Sequence, residues 1–286
     1  QQHGGQRSGD YLGHLEDPEA LQRSRHILLP FSSAGADARG VATGAQPPLV
    51  HSGKYRGPMP LFDPSTFSHR VPAPILSAFD TVWAGLSCPG AWWTGEERLA
   101  IAEAARGARP RLLGEPVPPL GDLDDQPAPV LSPVATEVAR RVAAEAGRIT
   151  PDWAQKAVEL LGPGRYAELV AVIVVLIPVD LLCVLLERPL QAFSKAEPGE
   201  PSRMIPAGLG EGAAFVPWKV DGWVGPNVAR ALSYVPADNE TRMDLVASMY
   251  AGGEEFVSLV WEHRALARPQ VELLAARTSA LNECFY

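Results

Sequence analysis

The chain has 286 residues, of which 46% are hydrophobic and 20% charged, so it is long enough to form two folded domains. The formal net charge is −8 and the Lys and Arg residues are dispersed, which argues against nucleic-acid binding. The three cysteines, at positions 88, 183 and 284, are too few and too widely spaced for a disulfide framework or a zinc site, and they indicate a cytoplasmic protein.

Residues 1–66 read as an irregular N-terminal extension, because glycines and prolines are scattered through them. From residue 67 to residue 195 the apolar residues follow a helical period. The predicted helices here are Pro74–Leu86, Thr94–Arg109, Val134–Ala146, Pro151–Leu161 and Tyr166–Glu187. Thr94 with Glu97 forms a capping box, and Thr150 before Pro151 is a second start signal.

An apolar run from Leu169 to Leu186 has eighteen residues, which is close to the length that spans a membrane. Asp180 lies inside it and would cost about 2.5–3.5 kcal/mol near a bilayer centre, and Pro178 interrupts the helical hydrogen bonds. We therefore predict a buried core helix kinked at Pro178, with Cys183 as a packing residue and with no membrane partner.

Residues 196–224 are rich in Pro and Gly and read as a linker, and residues 225–286 return to helical spacing. The predicted helices of this last part are Asn227–Tyr234, Asn239–Tyr250, Glu254–His263 and Pro269–Leu281. No stretch of the chain alternates convincingly like a strand, so the predicted fold class is all-α.

The last helix leads into the chemically most informative residues, Glu272 and Cys284. Val271, Leu274, Ala275, Thr278 and Leu281 follow the i, i+3, i+4 stripe of a helix face that is suited to burial. We expect this stripe to lack part of its cover in this chain and to leave apolar surface exposed. Asn282 suits a helix stop or the cap of a next helix, so Cys284 is expected near a helix N-terminus, where a thiolate is favoured. Glu272 would then act as a proton acceptor. The other interpretation makes Cys284 a small buried apolar residue.

The run Glu-Leu-Leu-Ala-Ala-Arg-Thr-Ser-Ala-Leu-Asn-Glu-Cys-Phe-Tyr, residues 272–286, resembles the active-site stretch of the AhpD-like alkylhydroperoxidase and carboxymuconolactone decarboxylase family. In that family a Glu-bearing helix precedes Cys-x-x-Cys-x-x-x-His. The resemblance implies an AhpD-like helical fold and a thiol- or selenol-dependent hydroperoxide reductase, in which Cys284 resolves the disulfide and Glu272 moves protons. It implies a hydroperoxide substrate, a thiol reductant, no metal or organic cofactor, and a homo-oligomer.

The same resemblance makes residues 67–195 a degenerate first repeat and residues 225–286 the opening of a second. In the first repeat, seven prolines between positions 110 and 133 stand where the cysteine-bearing helix should follow. In the second, the reactive position falls directly after Tyr286, and we expect a UGA codon read as selenocysteine there. Two alternatives stay open, a carboxymuconolactone decarboxylase-like acid–base enzyme and a non-catalytic helical assembly module.

Overall fold

The structure is a computed structural model. It describes residues 62, 71–108, 119–120, 123, 130–251, 255, 257–262 and 264–281, which all lie within the unit Lys54–Tyr286. The predicted extension, residues 1–66, therefore lies outside the described residues except for Phe62. Within the described part the chain is mostly helical, and its only sheet is a pair of two-residue strands, so the prediction of an all-α fold is confirmed in its coarse form.

The elements in chain order are α1 (Ala73–Leu86), α2 (Gly95–Ala108), α3 (Pro133–Glu145), α4 (Pro151–Leu161), α5 (Pro163–Leu185), β1 (Leu209–Gly210), β2 (Trp218–Lys219), α6 (Asn227–Arg230), α7 (Pro236–Met249) and α8 (Arg268–Leu281). A single 3-10 turn, Ala146–Arg148, follows α3. Strands β1 and β2 pair antiparallel, with Leu209 opposite Lys219. Strands of two residues are too short to produce an alternating pattern, which is why the sequence did not predict them.

Side-chain caps fix where the helices begin, as the sequence predicts. At α2 the Thr94 N–H donates to Glu97 Oε2 at 2.8 Å and the Glu97 N–H donates to Thr94 Oγ1 at 3.2 Å, which is a complete capping box. At α4 the Thr150 hydroxyl oxygen accepts from the Trp153 N–H at 3.3 Å. Both predicted start signals are confirmed.

Helix α5 lies at the centre of the core and packs against α1, α2, α3, α4 and α7. By length and composition α5 could cross a membrane. However, 56% of its most apolar eighteen-residue stretch is buried inside the protein, which is typical of a core helix. Pro178 lies within the helix, which continues to Leu185. Helix α7, which the sequence assigns to the second repeat, packs on α1 as well as α5.

Two of the predicted helices are wrong in part. Of the predicted helix Asn227–Tyr234, only Asn227–Arg230 is α-helical. Of the predicted helix Glu254–His263, the part Ser258–Glu262 is irregular. In the second case the Ser258 hydroxyl accepts from the Val260 N–H at 3.3 Å and donates to the Val260 carbonyl at 2.7 Å. A side chain that bonds the nearby backbone in this way competes with helical hydrogen bonding.

One buried arginine joins three helices. Arg98 of α2 donates from NH1 to Glu168 Oε1 of α5 at 2.6 Å and from NH2 to Asp238 Oδ1 of α7 at 2.8 Å. Glu168 is fully buried, and its other oxygen accepts from the Trp92 N–H at 2.6 Å. Burial by itself would lower the pKa of Arg98, but the charges of Asp238 and Glu168 outweigh it and raise that pKa. The guanidinium therefore stays charged and holds both carboxylates.

Replacing Arg98 by methionine should destabilise the protein strongly, because it leaves the buried Glu168 carboxylate and the partly buried Asp238 carboxylate without their cation. We expect the free energy of unfolding in urea to fall by about 3–5 kcal/mol. The matched control is Lys156→Met, which removes an exposed pair with Glu159 and should cost less than about 1 kcal/mol. Equal effects of the two substitutions would contradict a central role for Arg98.

Candidate functional site

Helix α8 carries Glu272, and its start is defined by a side-chain cap. The Ala267 N–H donates to Gln270 Oε1 at 2.8 Å, and the Ala267 carbonyl accepts from the Gln270 N–H at 3.0 Å. Gln270 thus acts as the distal residue of a capping box, and the helix begins at Arg268, one residue before the predicted start at Pro269. The predicted helix around Glu272 is confirmed.

The Glu272 carboxylate faces solvent and is held by the preceding turn. Arg268 Nε donates to Glu272 Oε1 at 2.8 Å, and the Glu272 side chain is 58% exposed. Arg268 itself is mostly buried, donates to the Ser258 carbonyl at 3.0 Å and lies 5.3 Å from the ring centre of Trp261. Glu272 is therefore positioned by a fixed arginine while remaining accessible to a proton donor from solution.

None of the fourteen residues of α8 is buried, so the predicted lack of cover over part of its apolar stripe is confirmed. Leu274 is 57% exposed and Leu281 66% exposed. The segment before the helix is also exposed at Val257, Leu259 and Val260. The apolar spacing thus marks a helix face that no described part of the chain covers.

Cys284 lies outside the described residues, so its predicted place near a helix N-terminus and its distance from Glu272 stay predictions. The other two cysteines are described. Cys183 is 3% exposed, and burial is the main cause that raises the pKa of its thiol. Cys88 is partly exposed, and its thiol donates to the Ala84 carbonyl at 3.4 Å. Cys183 is the packing residue that the sequence predicts.

Glu168 is a charged residue in the core that sequence reasoning did not single out. Burial raises its pKa, against the lowering effect of the Arg98 charge, and perturbed carboxyls of this kind often mark functional sites. Both of its oxygens, however, are occupied by Arg98 and by the Trp92 N–H. The sequence could have indicated its burial, because Glu168 lies on the same face of the helix as the buried Val172 and Val175. Its bonding shows that Glu168 organises the fold.

The paired tryptophans before α2 are anchors of the core. Trp93 is buried, and its indole N–H donates to the Arg165 carbonyl at 2.9 Å. Trp92 packs so closely on Gly164 that a side chain at that glycine would collide with the indole. Among the described residues, no group of three or more His, Cys, Asp or Glu side chains is placed to hold a metal ion.

Comparison with other proteins adds no assignment. No protein-family model matches the chain, and neither a curated protein nor a solved structure is significantly similar to it.

The raised pKa of Glu168 predicts a pH dependence of stability. A carboxyl whose folded pKa lies above its ordinary value of 4.5 contributes stability that is complete below that value and is lost as the pH rises through the folded pKa. We therefore expect the free energy of unfolding of the wild type to fall, relative to that of Glu168→Gln, as the pH is raised from about 4 to about 8.

The measurement is urea unfolding at a series of pH values. The matched control is Glu159→Gln, which removes an exposed carboxylate instead of the buried one. If Glu168→Gln also kept that slope, Glu168 would not titrate in this range.

Proposed function

We propose that this protein is a thiol- or selenol-dependent hydroperoxide reductase of the AhpD-like class, in which Cys284 supplies one position of the redox pair and Glu272 moves protons. The observation that carries the proposal is the placement of Glu272 on an exposed helix twelve residues before Cys284, with its carboxylate open to solvent. The cytoplasmic location and the thiol reductant belong to the same proposal.

The resemblance gives Cys284 the resolving role in the redox pair, and the reaction that we propose for its thiolate on direct contact with a hydroperoxide is a two-electron oxidation. The thiolate attacks one oxygen of the hydroperoxide, the O–O bond breaks, and the alcohol leaves with a proton while the sulfur becomes a sulfenic acid. A reductant thiol then condenses with the sulfenic acid and releases water, and a second thiol frees Cys284 as the reductant disulfide forms. Glu272 would accept the thiol proton and return it to the leaving alkoxide.

Cys183 is a poor candidate for reaction with peroxide. A buried thiol with a raised pKa reacts poorly, because the thiolate is the nucleophile and peroxide cannot reach it. Cys183 has both of these properties.

Exposure to alkyl hydroperoxide should convert Cys284, and neither Cys88 nor Cys183, to a sulfenic acid that a dimedone probe traps. Glu272→Gln should slow this oxidation about 100-fold, the usual contribution of a positioned acid–base group. The measurement is probe labelling followed by mass spectrometry, and Cys284→Ser should abolish it.

Glu159→Gln is the matched control, since Glu159 is also an exposed glutamate paired with a cation on its own helix. Oxidation located at Cys88, or an equal effect of the two glutamate substitutions, would contradict the proposed roles.

The exposed apolar surface of α8 supports a second function, assembly with a further copy of the chain. Leu273, Leu274 and Leu281 are each more than half exposed, as are Val257, Leu259 and Val260 in the segment before the helix. Single exposed apolar residues are ordinary, but contiguous apolar surface of several hundred Å² is typical of an interface. A helical assembly module would use this face whether or not Cys284 reacts.

A double substitution, Leu274→Glu with Leu281→Glu, should abolish self-association and reduce the binding of a hydrophobic dye. Sedimentation velocity and dye fluorescence measure the two effects. Leu160→Glu on α4 replaces a comparably exposed leucine away from this face and should change neither. A wild-type protein that is monomeric and binds no dye would exclude the assembly role.

A further inference from the structure

A cavity of about 450 Å³ lies between the irregular segment that follows α5 and one face of α7, and its volume is in the range of small-molecule sites. We call it the Trp223 cavity. Most of its lining residues are apolar or aromatic, Trp223 and Met243 among them, and Lys219 and Glu240 are its two charged groups.

Helix α7 turns one complete face to the cavity. Pro236, Asn239, Glu240 and Met243 are spaced i, i+3, i+4 and i+7, so they lie on one side of the helix. Asp238 bonds Arg98 and Leu245 is buried, so another side of α7 faces the core. On the cavity face Pro236 and Glu240 are exposed, whereas Asn239 Nδ2 donates to the Ala229 carbonyl at 2.8 Å and joins α7 to α6.

The two charged groups of the cavity have opposite signs and unused bonding capacity. The Lys219 ammonium donates to the Ala207 carbonyl at 2.9 Å, and within the described part of the chain no carboxylate lies within ion-pair distance of it. Glu240 is exposed, and among the described side chains none bonds its carboxylate. An ammonium group has three donors, so Lys219 can still bind an acceptor from a ligand.

The groups that line the cavity are held in place by the backbone. Gly208 has a left-handed φ of 71°, and a side-chain carbon there would lie 2.7 Å from Lys219 Nζ, so only glycine lets the ammonium rest on this turn. The Trp223 indole N–H donates to the Gly225 carbonyl at 3.0 Å. Ser233 Oγ accepts from the Lys219 N–H at 2.8 Å, which leaves the hydroxyl proton to donate.

We propose that the Trp223 cavity binds a small zwitterionic molecule with an apolar body, of the class of apolar dipeptides. Its carboxylate would bind the Lys219 ammonium, and its ammonium would bind the Glu240 carboxylate. Its side chains would pack on Trp223, Met243 and the prolines. A purely anionic ligand would place a negative charge near the Glu240 carboxylate, and a purely cationic ligand would place a positive charge near the Lys219 ammonium. Each of these ligands would meet repulsion at one end of the cavity. This site is independent of Cys284 and of the proposed peroxide chemistry.

Titration calorimetry with leucyl-leucine tests the proposal on the whole chain. We expect saturable one-to-one binding to the wild type. Blocking the dipeptide ammonium by acetylation, or its carboxylate by amidation, should each weaken binding about tenfold or more, as expected for the loss of a hydrogen bond to a charged group.

Substitutions in the protein should reproduce each effect selectively. The Lys219→Met variant should bind leucyl-leucine and its carboxyl-amidated form equally well. The Glu240→Gln variant should bind leucyl-leucine and its amino-acetylated form equally well. Lys156→Met and Glu159→Gln, on the exposed pair of α4, should bind like the wild type.

Two outcomes would overturn the proposal. One is the absence of saturable binding to a wild type that unfolds cooperatively, and the other is equal binding of the blocked and unblocked dipeptides. Because the blocked ligands are compared on the wild type, this second result would count even if a variant failed to fold.

Discussion

The Arg98 guanidinium, shared between two carboxylates, is the constraint on which the rest of the described structure depends. Its partners Glu168 and Asp238 lie 70 and 140 residues after it in the sequence. Removing charged groups from water is costly, so these three side chains are stable inside the protein only together. Gly90 shows how closely the cluster is packed, since a side chain there would collide with both Glu168 and Arg98. The loop before α2 is thereby tied to α5.

A second arginine fixes the irregular segment after α5 on the same core. Arg106 makes two hydrogen bonds to Asp180, at 2.9 and 2.7 Å, and lies 4.0 Å above the ring of Phe193. Phe193 in turn stacks on Trp83, whose indole N–H donates to the Ala192 carbonyl at 2.9 Å. In the sequence, the charge of Asp180 argues against a membrane-spanning helix. Inside the protein this charge is neutralised by Arg106.

Backbone hydrogen bonds continue this attachment into the region that forms the Trp223 cavity. The Glu197 N–H donates to the Ser87 carbonyl and the Arg203 N–H to the Ala91 carbonyl, each at 2.8 Å. A segment rich in Pro and Gly can therefore be well ordered when its few N–H groups bond to the core. Its composition predicts the absence of helices but gives no sign of these partners.

The sequence predicts features that depend on neighbouring residues but not features that depend on tertiary contacts. Helix starts depend on residues three positions apart, such as Thr94 and Glu97, so they can be recognised locally. The pairing of Arg98 with Asp238 depends on tertiary packing, and a single sequence shows only that a charge lies in an apolar stripe. The stripe of α8 is a related case, since periodicity identifies an apolar face but does not say what covers it.

The position of Glu272 connects the two functions that we propose. An acid–base group acts most effectively where water is excluded, and Glu272 is more than half exposed on a helix with no buried residue. In its pairing with Arg268 the glutamate is 58% exposed and the arginine 16%, so solvent weakens the ion pair from the glutamate side. A second copy covering Leu273 and Leu274 would exclude water from the neighbouring carboxylate as well. Self-association through α8 would therefore enclose a carboxylate that is open to solvent in the single chain, so that assembly and peroxide chemistry would use the same helix.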